Sequence, residues 1–166
     1  MSEYSWRPMR ADDVDGVVAV AASAFPDHFE ARACFAERVA LFPQACFVLA
    51  SDDDVKGYLI AYPWPLGAIP PLDSLLGTLP EARDVWYLHD LALHPEMRGQ
   101  GHARPIVERL ASEAAAAGVM KIALVSVNDS VPFWSSMGFA PVTGDPAIAR
   151  KLQSYGDDST YMVRQL

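Results

Sequence analysis

The stretch from Val85 to Ala103 most narrows what this chain can fold into. Val85-Trp86-Tyr87-Leu88-His89-Asp90-Leu91-Ala92-Leu93 is a continuous apolar run and reads as a buried strand. His94-Pro95-Glu96-Met97-Arg98-Gly99-Gln100-Gly101-His102-Ala103 follows, and a helix opens there and runs to about Ala117. Its buried face is Ile106, Val107, Leu110 and Ala114, and Gly118 supplies the stop. Lys121-Ile122-Ala123-Leu124-Val125 is the next strand, so the three elements form a parallel crossover. Amides at a helix start have no partner within the helix, and the positive end of its dipole suits an anion. Gly99 and Gly101 let backbone approach such a group closely, Arg98 adds charge, and Arg104 is a second candidate. A Gly-x-Gly turn alone is common. The spacing here lacks the third glycine of the dinucleotide pattern and the Lys-Ser/Thr of a nucleotide P-loop.

The flanking segments supply the rest of a sheet. Trp6 to Met9 is a short extended start, and Ala11-Asp12-Asp13 opens an amphipathic helix ended by Phe25-Pro26. A second helix spans about Ala31 to Phe42, stopped by Pro43. Cys46–Ala50 and Lys56–Tyr62, joined by the acidic turn at 51–54, read as an antiparallel hairpin. Residues 63–84 are proline-rich but carry large apolar groups, which favours a partly ordered flap over a pocket rather than a linker. Ser130–Met137 reads as a short helix, and Gly138–Val142 and Ser159–Arg164 as strands.

Composition bounds the function. The 166 residues, with 51% hydrophobic and 20% charged, suit a single domain over 1–166 and exclude a long disordered chain. No apolar run reaches the ~18 residues of a membrane span, and no secretory signal opens the chain. A net charge of −8 argues against nucleic acid and favours a cationic partner. Cys34 and Cys46 have no metal spacing and read as reduced, buried thiols, so no metal and a cytoplasmic location are expected.

Together, Leu91-Ala92-Leu93-His94-Pro95 and Arg98-Gly99-Gln100-Gly101-His102-Ala103 resemble the fingerprint of the GNAT superfamily of acyl-CoA-dependent N-acetyltransferases, Arg/Gln-x-x-Gly-x-Gly/Ala after a Leu-Ala-Val-His-Pro-like strand end. A second family feature lies downstream in Asn128, Phe133-Trp134 and Gly138-Phe139. The resemblance covers roughly residues 85–142. It implies a central mixed, mostly antiparallel sheet of about six or seven strands, with splayed parallel middle strands and helices on both faces. It also implies acetyl-CoA as co-substrate. The pantetheine arm would pair with Leu91-Ala92-Leu93, the pyrophosphate would lie on the amides of Arg98, Gly99, Gln100, Gly101, His102 and Ala103, and Asn128 and Phe133 would contact the rest.

The implied reaction is attack of an amine on the thioester. An ammonium with a pKa of about 10, by analogy with lysine, must first lose a proton. Strand alternation puts Tyr87, His89, Leu91 and Leu93 on one face and Asp90 on the other. His89 is the first choice of base, directly or through water, and Asp90 the second. Tyr87-Leu88-His89 and Val131-Pro132-Phe133-Trp134 are also similar to segments of arylalkylamine N-acetyltransferases. Many family members carry a tyrosine acid where this chain has Trp134, which cannot act as one. Tyr155 or Tyr87 would replace it, or water protonates the thiolate. Phe25, Phe29, Tyr62 and Trp64 are candidates for an apolar acceptor pocket.

Plainer readings stand beside these. His89 without the resemblance reads as a satisfied core histidine, Asp90 as an anchor, Trp64 as packing and Tyr155 as part of an exposed turn. The expected acceptor is a small cationic or arylalkyl amine, with a protein amine or a non-catalytic acyl-CoA-binding module as alternatives. The expected assembly is a monomer or homodimer.

Overall fold

A computed structural model describes residues 3–166 apart from His28, Ala82, Asn128 and Asp157. Along the chain come β1 (Ser5–Pro8), α1 (Val14–Ala24), α2 (Arg32–Leu41), β2 (Cys46–Ser51), β3 (Asp54–Trp64) and β4 (Val85–Leu93). Next are α3 (Ala103–Ala116), β5 (Lys121–Ser126), α4 (Val131–Ser136), β6 (Ala140–Pro141), α5 (Pro146–Leu152) and β7 (Thr160–Gln165). The strands form one seven-stranded sheet in the order β1-β2-β3-β4-β5-β7-β6. Among the described residues only β4 and β5 run parallel; the other pairings are antiparallel.

Each face of the sheet is covered because each helix has one apolar stripe. Val14, Val17 and Val20 of α1 and Phe35 and Val39 of α2 pack with Val48, Tyr58, Ile60, Tyr62 and Tyr161 on one side. Ile106, Val107, Leu110 and Ala114 of α3 meet Phe47, Leu59, Leu88 and Leu124 on the other, with Trp134 of α4 beside them. Gly118 has φ of 83°, a conformation open to glycine, and stops α3 as the sequence predicts. Cys34 and Cys46 are free and buried, as expected. Among the described residues no helix is long and apolar enough to cross a membrane.

Two irregularities in β4 position the site. Its parallel pairing with β5 is confined to Trp86↔Ile122, Tyr87↔Ala123 and Leu88↔Leu124, so the two strands separate beyond Leu88. On its other edge β4 stays paired to β3 as far as Leu93↔Gly57, but the register shifts: Ala61 faces Leu88 while Ile60 faces Asp90. His89 is therefore the extra residue of a β-bulge.

Several expectations are corrected. Helix α5 was not foreseen, although Asp145 caps it by accepting from the amides of Ala147 and Ile148 and Pro146 opens it. Tyr155 is buried in the turn after α5 rather than in an exposed loop, with its hydroxyl donating to the Pro70 carbonyl at 2.5 Å. The proline-rich segment is pinned against α2: Asp73 accepts from the Ala31 amide, and Glu37 accepts from the amides of Leu76 and Gly77. It lies beside α1 and α2; its Leu72 lines the small cavity described below, and none of its described residues borders the large cleft.

Candidate active site

Where β4 and β5 part, a cleft of about 720 Å³ opens. Leu88–Leu93 form one wall and Leu124, Val125 and Val127 the other. Ala24 to Asp27 close the end next to α1, Phe133 and Trp134 come from α4 with Ser130 just before it, and Arg98 in the turn and Ala103 at the start of α3 mark the other end. Arg104 braces α4 against α3, donating to Ser136 Oγ at 2.8 Å and lying 5.8 Å from the Phe133 ring centroid.

The turn itself is shaped by two glycines, Gly99 at φ 75° and Gly101 at φ 79°, a region most side chains avoid. An added Cβ at either would meet nothing within 4 Å, so the backbone there faces open space. His94 accepts from the Glu96 amide at 3.1 Å and shapes the approach to the turn. The His102 carbonyl is held by the Trp6 indole N–H at 2.8 Å. Gly99, Gln100 and Gly101 are exposed at the cleft's end, next to Arg98, and α3 points its N-terminus toward them.

At the opposite side of the cleft lies a cluster of polar groups around His89. Its Nε2 is 2.8 Å from Glu30 Oε1 and its Nδ1 3.3 Å from the Tyr62 hydroxyl. Glu30 also accepts from Arg38 Nη2 at 2.9 Å and from the Asp73 amide at 3.3 Å, both on Oε2. The His89 side chain is only 1% exposed, whereas that of Asp90 is 18% exposed. The Tyr58 hydroxyl donates to Asp90 Oδ2 at 3.1 Å, and that oxygen lies 3.9 Å from His89 Nε2. A second cavity of about 40 Å³ adjoins the cleft and is lined by Glu30, Tyr58, His89, Asp90 and Tyr155.

The bulge corrects the expected alternation. Val85 and Tyr87 face the α1 side; after His89 the even-numbered Ala92 does so, while Leu91 packs toward α3. Asp90 therefore shares the His89 face instead of opposing it, and Leu91 leaves it. Of the acceptor-pocket candidates, Phe25 lines the cleft. Phe29 is 72% exposed away from it, Tyr62 is buried as a partner of His89, and Trp64 packs edge-on against Tyr62. Neither Tyr87 nor Tyr155 borders the large cleft: Tyr87 is buried beside Tyr62 and His89, and Tyr155 donates to the Pro70 carbonyl. Asn128 lies outside the described residues.

Burial sets the charges. It raises the Glu30 carboxyl, but the hydrogen bond from His89 and the charges of His89 and Arg38 outweigh it, holding the group down at about 2. Burial raises Asp90, and the neighbouring Glu30 charge reinforces it against His89 and Arg38. Burial likewise pushes Tyr58, Tyr62 and Tyr87 well above the usual phenol range, and Tyr155 to about 12. Glu30, His89 and Asp90 also have the spacing of a cation site, with ligand atoms within 4.8 Å, but Arg38 already supplies the positive charge to Glu30.

Glu30 and Arg38 escaped the sequence reading, yet a signal was present. Arg38 falls on the same face of α2 as Cys34, Phe35 and Val39, all buried. A charge on an apolar stripe implies a buried counter-charge.

With this geometry in view, the sequence matches the acetyltransferase (GNAT) family over residues 9–139, and the chain belongs to that family of acyl-transferring enzymes. No curated protein matches the sequence. Its fold is similar to the loading GNATL domain of CurA from Lyngbya majuscula, at TM-score 0.75 and 16% identity over 96% of both chains. It also resembles a GNAT-like decarboxylase, GphF, solved with isobutyryl-CoA (TM-score 0.71, 18% identity, 97% of this chain and 98% of that one). A third is the PaiA N-acetyltransferase from Thermoplasma acidophilum, solved with coenzyme A (TM-score 0.68, 10% identity, 100% of both).

Arg38→Met should cost about 3–5 kcal/mol in guanidinium unfolding at pH 8, because the buried Glu30 loses its permanent counter-charge and keeps only the His89 N–H and the Asp73 amide. The Glu30 pKa is lower folded than its ordinary 4.5. Its stabilisation is therefore complete above that pH and fades as pH falls toward about 2. The penalty should narrow over the same window; a penalty that is constant with pH would contradict the pairing.

Proposed function

We propose that the chain transfers an acetyl group from acetyl-CoA to a primary amine, with a small cationic amine as acceptor. The observation that carries this reading is the opening between β4 and β5 beside the glycine turn. Past Leu88 the two strands no longer pair, so the His89–Leu93 edge is available to the amides of a pantetheine arm. The exposed backbone of Gly99 to Gly101, Arg98 and the N-terminus of α3 together suit a pyrophosphate. Leu91, Ala92, Leu93, Ala103 and Phe133 line the path between, with Gln100 and His102 flanking the turn. The coenzyme A in the PaiA structure supports the same ligand class for this chain.

Charge is divided along the cleft. Arg98 lies at the turn end, while Asp27 and Asp90 are the acidic residues lining it near α1. That polarity draws an ammonium toward Asp90 and the thioester carbonyl. Phe25 supplies an apolar contact for the acceptor's body. His89 is the base, but its ring is sealed from the cleft, so the proton reaches it through water. The adjoining cavity of about 40 Å³ exceeds the ~10–15 Å³ one water requires. Amides of the separated β4 edge, near Leu93, stabilise the charge that grows on the carbonyl oxygen.

Trp134 packs against Phe133 and Phe139 and offers no acidic proton. Tyr87 is buried away from the cleft, and the Tyr155 hydroxyl is committed to the Pro70 carbonyl. The thiolate therefore leaves as the anion, stable enough with a thiol pKa of about 8.5, and is protonated by water.

Thiol release from acetyl-CoA, measured over a panel of small amines and an N-terminal peptide, tests the assignment. Turnover should be greatest with cationic alkyl or arylalkyl amines. Preference for the peptide would assign a protein acceptor instead, and binding without release across the panel would mark a non-catalytic acyl-CoA module. His89→Gln should lower kcat by roughly 10²–10⁴-fold and remove the acid limb of the pH–rate profile; an unchanged profile would take His89 out of the base role. Gly101→Val, which strains a φ of 79° and shields the turn amides, should weaken coenzyme A binding at least about tenfold in calorimetry. Unaltered affinity would place the pyrophosphate elsewhere.

A further inference from the structure

Glu30 lies in the connection between α1 and α2, outside every motif of the sequence, yet it makes the shortest contact of the His89 ring. An ionised carboxylate only accepts hydrogen bonds, so Nε2 must carry a hydrogen whether the ring is neutral or charged. The lone pair of the neutral ring then sits on Nδ1, where the Tyr62 hydroxyl donates to it at 3.3 Å. Once Nδ1 is protonated it can donate to the oxygen of the same hydroxyl, because a phenol both donates and accepts. Both ring states are thus satisfied without any movement of the imidazole.

Resting on the reading of His89 as the base, we infer that Glu30 is a positioning residue: anchored by Arg38, its carboxylate fixes the Nε2–H tautomer of His89, makes Nδ1 the proton-accepting atom and stabilises the imidazolium that forms. In this step an N–H bond of the acceptor ammonium breaks and its electron pair stays on the amine nitrogen; the proton carried by water passes to the Tyr62 oxygen as the Tyr62 hydroxyl gives its own proton to Nδ1. The amine is then free to attack. As the thiolate leaves, the attacking nitrogen loses its second proton to water and the thiolate takes one from water; the proton on Nδ1 then returns to solvent, and no other reactant is needed.

The groups facing the ring leave Glu30 as its bonded charge. From β3 come Tyr62 and Tyr58; from β4, Tyr87, with ring centroids 6.1 Å apart, and Asp90 at 3.9 Å. Tyr155 faces the ring across the small cavity. The four phenols hold their protons because they are buried. Asp90 is turned to the Tyr58 hydroxyl, and Arg38 acts through Glu30.

Glu30→Gln is the test. The amide oxygen can still accept from Nε2–H, but the negative charge is gone. The acid limb of the kcat/KM profile should move to lower pH by about one unit, with kcat reduced about tenfold and coenzyme A affinity unchanged. A folded variant whose acid limb stays in place overturns the inference. That outcome is distinct from failure of the base itself, which the His89→Gln profile reports separately. Should Glu30→Gln not fold, nitrogen NMR of the His89 ring in the unaltered protein decides: the Nε2–H tautomer supports the role, and a predominant Nδ1–H tautomer removes it.

Discussion

Separation of two parallel strands after three residue pairs is the constraint on which the rest of the structure depends. Backbone N–H and C=O groups inside a protein are costly to leave unpaired. A sheet that opens at its centre must therefore present those groups to something polar that enters the gap. Here the opening is held from both sides. β3 keeps β4 in place as far as Leu93, and β7 pairs β5 along its whole length from Lys121 to Ser126. α4 then sits at the mouth as a wedge, tied to α3 by Arg104. Cohesion of the sheet thus comes from its antiparallel flanks, which leaves its middle free to bind.

The same strand solves a second problem with a single extra residue. The bulge at His89 brings two consecutive polar side chains to the face where the α1–α2 connection supplies Glu30. A regular strand would have sent one of them into the apolar layer beneath α3. Buried polar groups are stable only when their partners are present, and here each has one: Glu30 for His89, Tyr58 for Asp90, Arg38 for Glu30. The deep end of the cleft is consequently acidic toward the ligand, while the turn end carries the positive charge of Arg98.

The sequence was most legible where local rules act alone. The boundaries of β4, the face of α3, its glycine stop and the strand–turn–helix crossover all follow from apolar periodicity and turn chemistry, and the glycine turn announced itself through spacing. The expected six or seven strands with a parallel central pair are present. What local rules missed depends on contacts distant in sequence. A bulge is set by pairing with β3, so alternation alone misplaced Asp90 and Leu91. The partner of His89 is 59 residues away along the chain, and Tyr62 resembled a pocket aromatic until its hydroxyl was found on the imidazole. The proline-rich segment reads as a flap over a pocket, but composition shows order and not destination: its Leu72 lines the small cavity beside His89, and its amides are claimed by Glu37 and Glu30.

The two buried cysteines carry a practical consequence. Cys46 is shut in the core, where burial pushes its thiol up to about 12, and burial raises Cys34 as well. Nucleophilic sulfur requires the thiolate, so neither side chain competes for a disulfide reagent while the polypeptide stays native. Loss of tertiary order would release both at once, giving the protein a built-in chromogenic gauge of its own denaturation.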